Sequence, residues 1–159
     1  MKIKSFLFIL LAAAAISQGS AAQEPAYKIS LAEWSLNRSI RKGLMTNMDF
    51  PRITKETYGL DAVEYVSTFF RDKAEDMEYL TNLKNECEKY GIKSLIIMVD
   101  GEGSLADTSL AARNKAIENH YKWVKAAKFL GCHSIRVNAA GRGTMGQTQA
   151  AAIDGLGRL

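Results

Sequence analysis

Cysteine is scarce in this chain: Cys87 and Cys132 are the only two in 159 residues. Their surroundings do not favour a bridge, even in an oxidising compartment. Cys87 shares one helical face with Met77, Leu80, Leu83 and Tyr90, and Cys132 stands between Gly131 and His133 where a strand is about to begin, so both read as packed thiols. Charge of one sign is also in short supply. The formal net charge of +4 falls to +2 once Lys2 and Lys4 are set aside, and no basic stripe is interleaved with aromatics. Such a chain has no electrostatic footprint for nucleic acid, which is excluded as an expected partner. Hydrophobic runs long enough to span a bilayer are missing too, since Phe6 to Ile16 would cross only about half of the hydrocarbon core at ~1.5 Å per residue. No cysteine follows that run to carry a lipid, so no membrane partner is expected of the mature chain.

What the first residues do contain is a pattern for export. Met1-Lys2-Ile3-Lys4 is a basic start, the apolar run follows, and Ser20-Ala21-Ala22 offers small residues for cleavage. Residues 1–22 are therefore expected to be a secretory signal peptide, and residues 23–159 a mature chain that is periplasmic or secreted.

Four short β-type runs punctuate that chain: Ile29 to Ser35, Asp61 to Val66, Lys93 to Val99 and Ser134 to Asn138. The first three begin 32 residues apart, and helical patterns lie between them. This is the signature of repeated strand–helix units and a parallel sheet. Asp49-Phe50-Pro51 marks the start of a short first helix, closed by Gly59. Asp72 with Glu75 three residues on reads as a capping box for the second, which ends at Tyr90-Gly91. The third runs from about Ser109 to Leu130, with Ile117, Tyr121, Val124 and Ala127 or Lys128 in register and a break expected near Arg113. A fourth starts near Gly146, with Ala150, Ile153 and Leu156 or Leu159 at core spacing. The sequence stops inside it, which suggests a truncated product.

The stretches "SLAEWSLNRSI", "YGLDAVEYVSTFF", "IKSLIIMVDGEGSLAD" and "AAKFLGCHSIRVNAAGRG" resemble, in order and spacing, the first half of the xylose isomerase-like TIM-barrel family of sugar phosphate isomerases and epimerases. The second-strand motif Gly59-Leu60-Asp61-Ala62-Val63-Glu64 and the fourth-strand motif Leu130 to Asn138 carry most of the likeness. The resemblance implies an α/β fold, a partial (β/α)8 TIM barrel of about four strand–helix units, with its site at the C-terminal ends of the strands. It also implies a carbohydrate substrate and a divalent metal (Mn, Mg, Co or Zn) that assists proton transfer beside a sugar carbonyl. The ligands and catalytic carboxylates of such a barrel belong to later strands, so no catalytic or metal residue is assigned and this chain alone is expected to be inactive.

Strand alternation places Ala62, Glu64 and Val66 on one face of the second strand and Ser134, Arg136 and Asn138 on one face of the fourth, with Ile135 and Val137 towards the helices. Six residues are candidates for substrate contact. Glu64 and Arg136 are expected to meet inside the barrel, directly or through one intermediate residue, either as a register-fixing ion pair or against substrate. Trp34 is a wall for a sugar ring or a core residue. Asp100 and Glu102 bind hydroxyls or belong to a solvated glycine-rich turn. Asn138 ends an inward face at the rim and is the best single candidate for a substrate hydrogen bond. His120 and His133 are read as structural.

Gly141-Arg142-Gly143-Thr144-Met145-Gly146 matches a dinucleotide-binding fingerprint, but Arg136 and Asn138 interrupt the strand before it, and too little chain follows for the ribose-binding acid. It is read as a rim loop into the fourth helix, where a phosphate on the helix N-terminus stays open. Two other readings stand beside the enzyme: a non-catalytic exported carbohydrate-binding barrel module, and a small flavodoxin-like α/β domain.

Overall fold

The computed structural model describes residues 27–159, so the expected signal segment lies outside the described residues. Four parallel strands, β1 (Leu31–Ala32), β2 (Ala62–Val66), β3 (Lys93–Met98) and β4 (Ser134–Arg136), form one sheet in the order 1-2-3-4. Among the described residues five α-helices follow them: α1 (Asn37–Arg41) and α2 (Phe50–Glu56) after β1, α3 (Met77–Tyr90) after β2, α4 (Leu110–Leu130) after β3 and α5 (Met145–Gly157) after β4. The order never reverses. A flavodoxin-like sheet has the order 2-1-3-4-5, with a switch point, so that alternative is set aside.

Local chemistry explains the helix ends. Asp76 accepts a hydrogen bond from the Tyr79 N–H (3.0 Å) at the start of α3, and Gly91, with φ +66°, closes it. Ser109 accepts from the Ala112 N–H (3.4 Å) ahead of α4, while Thr144 and Gln147 cap each other at the start of α5. Pro51 sits in the first turn of α2.

Consecutive parallel crossovers of one hand bring their helices to one face of the sheet, and the core gathers there. Val63, Tyr65 and Ile97 pack with Phe50 from α2, Leu80 and Leu83 from α3, and Trp123 and Ala126 from α4. The β2–β3 register slips between Val63 and Glu64. Beside the slip the Tyr65 phenol contacts both Cys87 Sγ (2.9 Å) and Ser94 Oγ (3.1 Å). Cys87 is buried and Cys132 partly buried; both are free thiols, and burial pushes the Cys132 thiol up to about 12.

Several elements depart from the expected boundaries. The first strand is only two residues long, because Glu33–Leu36 turns into a 3₁₀ segment. The second helix begins at Met77 and not at Asp72, since Ser67–Lys73 winds as 3₁₀ turns broken at Phe70 (φ −144°, ψ 42°). α4 runs unbroken past Arg113, whose guanidinium bonds the Asp154 carboxylate of α5 at 2.6 Å. Its buried stripe therefore includes Ala116, Ile117, His120 and Trp123, leaving Tyr121 and Val124 outside. In α5 the contact is made by Ala151 and Gly155, where a Cβ at Gly155 would lie 1.9 Å from the Leu105 carbonyl oxygen. Ile153 and Leu156 face outward.

Candidate functional site at the C-terminal edge of the sheet

Because every strand runs the same way, the residues that follow β1, β2, β3 and β4 line one edge. Ser67, immediately after β2, ties that edge to the loop after β3: its hydroxyl accepts from the Asp100 N–H (2.9 Å). The Asp100 carboxylate is thereby held between strands. Its Oδ1 accepts from Asn138 Nδ2 (2.7 Å) beyond β4 and faces Arg136 Nη1 at 3.7 Å. Asp100, Arg136 and Asn138 therefore converge, two acceptor oxygens and several donors on a partly exposed edge. Sugar hydroxyls, which both donate and accept, are matched by such a mixed set.

Trp34 is not a core residue. It is 47% exposed and stacks on Phe69 (centroids 6.1 Å, planes 29° apart). Trp34 follows β1 and Phe69 follows β2, so the aromatic pair continues the same edge on its other side.

Glu64 and Arg136 do not meet. Register pairs Glu64 with Ile96 and Ile96 with Ser134, whereas Arg136 stands opposite Met98, so the two charges are two strands and two residues apart. Glu64 instead accepts from Ser30 Oγ at 2.6 Å. Glu102 also departs from both readings of it. It is buried under the helix layer, where its Oε1 accepts from Trp123 Nε1 (2.7 Å) and Lys122 Nζ (2.9 Å). Asp100 points to the edge and Glu102 into the core because the backbone turns at Gly101 (φ +82°) and Gly103 (φ +99°).

A further acid was not singled out from the sequence. Glu33, the first residue after β1, is fully buried; its Oε2 accepts from the Val66 N–H at 2.8 Å, and its Oε1 has no partner. Burial raises its pKa to about 8 against the opposing pull of that hydrogen bond, so near neutral pH it holds a proton. Its only signal in the sequence is that it is the sole acid in "ISLAEWS".

The glycine-rich segment is a loop only over 141–144, since Met145 and Gly146 already belong to α5, and glycine is needed at 141 for close approach to the Ala106 carbonyl oxygen, which a Cβ would strike. At the helix that follows, Gln147 Oε1 already accepts from the Thr144 N–H (3.0 Å) and Thr144 Oγ1 from the Gln147 N–H (3.4 Å). His120 is buried with Nδ1 2.7 Å from the Ala116 carbonyl oxygen, a structural contact, and His133 lies at the opposite end of the sheet. That opposite end holds two open hollows of about 310 and 330 Å³ that share Gly131 and His133. Neither is lined by any residue of the C-terminal edge.

The divalent metal that the resemblance implies does not fit the residues described. Among them no group of three or more His, Cys, Asp or Glu could hold an ion. Of Glu33, Asp100 and Glu102, only Asp100 has a carboxylate open to solvent, Glu33 and Glu102 being buried. No protein-family model matches the chain, and no curated protein matches it.

Proposed function

We propose that this chain carries the carbohydrate-recognition edge of an exported barrel of the isomerase or epimerase type, a partial (β/α)8 unit of four strands. Support for the barrel reading comes from the sheet: four parallel strands in sequential order, helices packed against one face, and Glu64, Ile96, Met98 and Arg136 left partly exposed on the other. The observation that carries the functional reading is the convergence of Asn138 and Arg136 on Asp100 at the strand ends, beside the exposed Trp34–Phe69 pair. Polar groups that fix hydroxyls next to an aromatic wall that takes the apolar face of a sugar ring make a carbohydrate site.

Proton transfer beside a sugar carbonyl is the chemistry the resemblance suggests for the complete barrel, and no step of it is assigned to the residues described. Export to the periplasm or beyond rests on residues 1–22, and N-terminal sequencing of the protein from an extracytoplasmic fraction should start near Gln23. For the site, titration of the purified chain with glucose, followed by amide and indole NMR shifts, should move Asp100, Asn138 and the Trp34 indole together. Shifts confined to the hollows around His133 would refute the assignment. Carbohydrate binding without turnover is the second reading, and an isomerase assay on the sugar that moves these signals separates it from the first.

A further inference from the structure

The edge carries more positive charge than a neutral sugar needs. The Arg41 guanidinium lies over both aromatic rings, 5.6 Å from the Trp34 centroid and 5.9 Å from that of Phe69. Arg71, two residues after Phe69 in the same 3₁₀ segment, reaches the loop after β3, its Nη2 3.6 Å from where a Gly101 Cβ would stand. Among the described residues neither arginine forms an ion pair. Lys73 is paired with Asp76 at 3.0 Å, and Asp72, exposed beside Arg71, offsets part of the arginine charge. Arg41, Arg71 and Arg136 face Asp100 and the exposed Asp72 at this edge, so the arginines outnumber the carboxylates three to two.

Building on the carbohydrate assignment above, we infer that the ligand of this edge is a sugar acid, its ring on the Trp34–Phe69 wall, its carboxylate taken by Arg41 and Arg71, and its hydroxyls by Asp100 and Asn138. An arginine held beside aromatic rings presents a planar fork of donors, which suits bidentate capture of a carboxylate. The position of the charge selects among anions. The guanidinium carbon lies within 6 Å of both ring centroids, close enough to meet an anionic group bonded directly to a sugar ring beside the wall, whereas a phosphate on an exocyclic carbon would extend past it. Phosphates are commonly held by free N–H groups at a helix N-terminus, and the first-turn donors of α5 at this edge are partly taken up by the Thr144–Gln147 cap.

Calorimetric titration of the full chain with glucuronate, glucose and glucose 6-phosphate at low ionic strength separates the possibilities. Glucuronate should bind at least tenfold more tightly than glucose and more tightly than glucose 6-phosphate, with an advantage that shrinks as salt is added. Arg41→Met combined with Arg71→Met should weaken glucuronate tenfold or more and glucose less than threefold; both side chains are exposed, and a circular dichroism spectrum checks that the variant folds. Equal affinity for glucuronate and glucose, or a preference that survives both substitutions, would overturn the sugar-acid inference and leave the carbohydrate site standing. Tighter binding of glucose 6-phosphate would overturn the carboxylate assignment. Binding of none of the three would defeat the carbohydrate reading and this inference with it.

Discussion

Along β2 the residues Val63 and Tyr65 are fully buried while Glu64 between them keeps contact with solvent; along β3 the same alternation separates buried Ile97 from partly exposed Ile96 and Met98. One face of the sheet is covered by α2, α3 and α4 with an aromatic cluster of Phe50, Tyr65, Phe70 and Trp123. The other presents Glu64 and Arg136. Stability is concentrated on the first face and the proposed carbohydrate contacts lie at the edge above it, so substitutions should sort by side of the sheet and not by residue type. The Trp123→Ala variant gives the largest expected contrast. It removes a fully buried indole that meets Phe70 edge-on at 5.2 Å and leaves Glu102 without one donor, which should cost about 3–5 kcal/mol of unfolding free energy. Urea denaturation reads this directly. A loss below about 1 kcal/mol would mean that the helix layer does not carry the core.

Glu33 belongs to neither side and adds pH dependence. Its folded pKa of about 8 lies above the ordinary value of 4.5, so the folded chain binds a proton that the unfolded chain has released. The contribution is fully present below about pH 4.5, declines as pH rises, and is lost through about pH 8. Across that window it amounts to several kcal/mol as an order of magnitude. The urea midpoint should therefore fall between pH 5 and pH 8, and Glu33→Gln, which keeps an acceptor for the Val66 N–H, should flatten the dependence. An unchanged slope in that variant would place the titrating group elsewhere.

β2, β3 and the helices α3 and α4 were legible because their signals are local: short apolar runs, an apolar stripe, and glycines at the helix ends. What was not legible depended on distant partners. Glu33 bonds a backbone amide 33 residues away and ends β1 early. Glu102 turns inward because Trp123 and Lys122, some twenty residues on, supply its hydrogen bonds. α3 starts at Met77 and not at Asp72 because Asp76 caps its first turn, the preceding Ser67–Lys73 winding as 3₁₀ turns. Among the site candidates, Asp100, Asn138 and Trp34 stand where strand direction alone puts them. Glu64 and Arg136 were matched across the barrel by charge, which ignores that two strands can share a sheet without sharing a register.

Asp100 and Glu102 allow the comparison to be sharpened within three residues of chain. Glu102→Ala leaves the Trp123 indole N–H and the Lys122 ammonium without their shared acceptor in a buried place, and should cost about 1–3 kcal/mol.

Asp100→Ala should behave in the opposite way. The carboxylate is partly exposed, its ion pair with Arg136 is long at 3.7 Å, and the tie from β2 is made by its backbone, whose N–H donates to Ser67 Oγ and survives the substitution. Surface pairs of this kind contribute about 0–1 kcal/mol, so the urea midpoint should barely move. On the proposed carbohydrate function binding is another matter, since Asn138 would lose the acceptor that fixes its amide and a hydroxyl of the ligand would lose the Asp100 carboxylate. A stable Asp100→Ala protein that no longer shows sugar-dependent shifts at the Trp34 indole is the expected result. Should it be destabilised as much as Glu102→Ala, the edge would be part of the scaffold, and the division between a covered face and a working edge would fail.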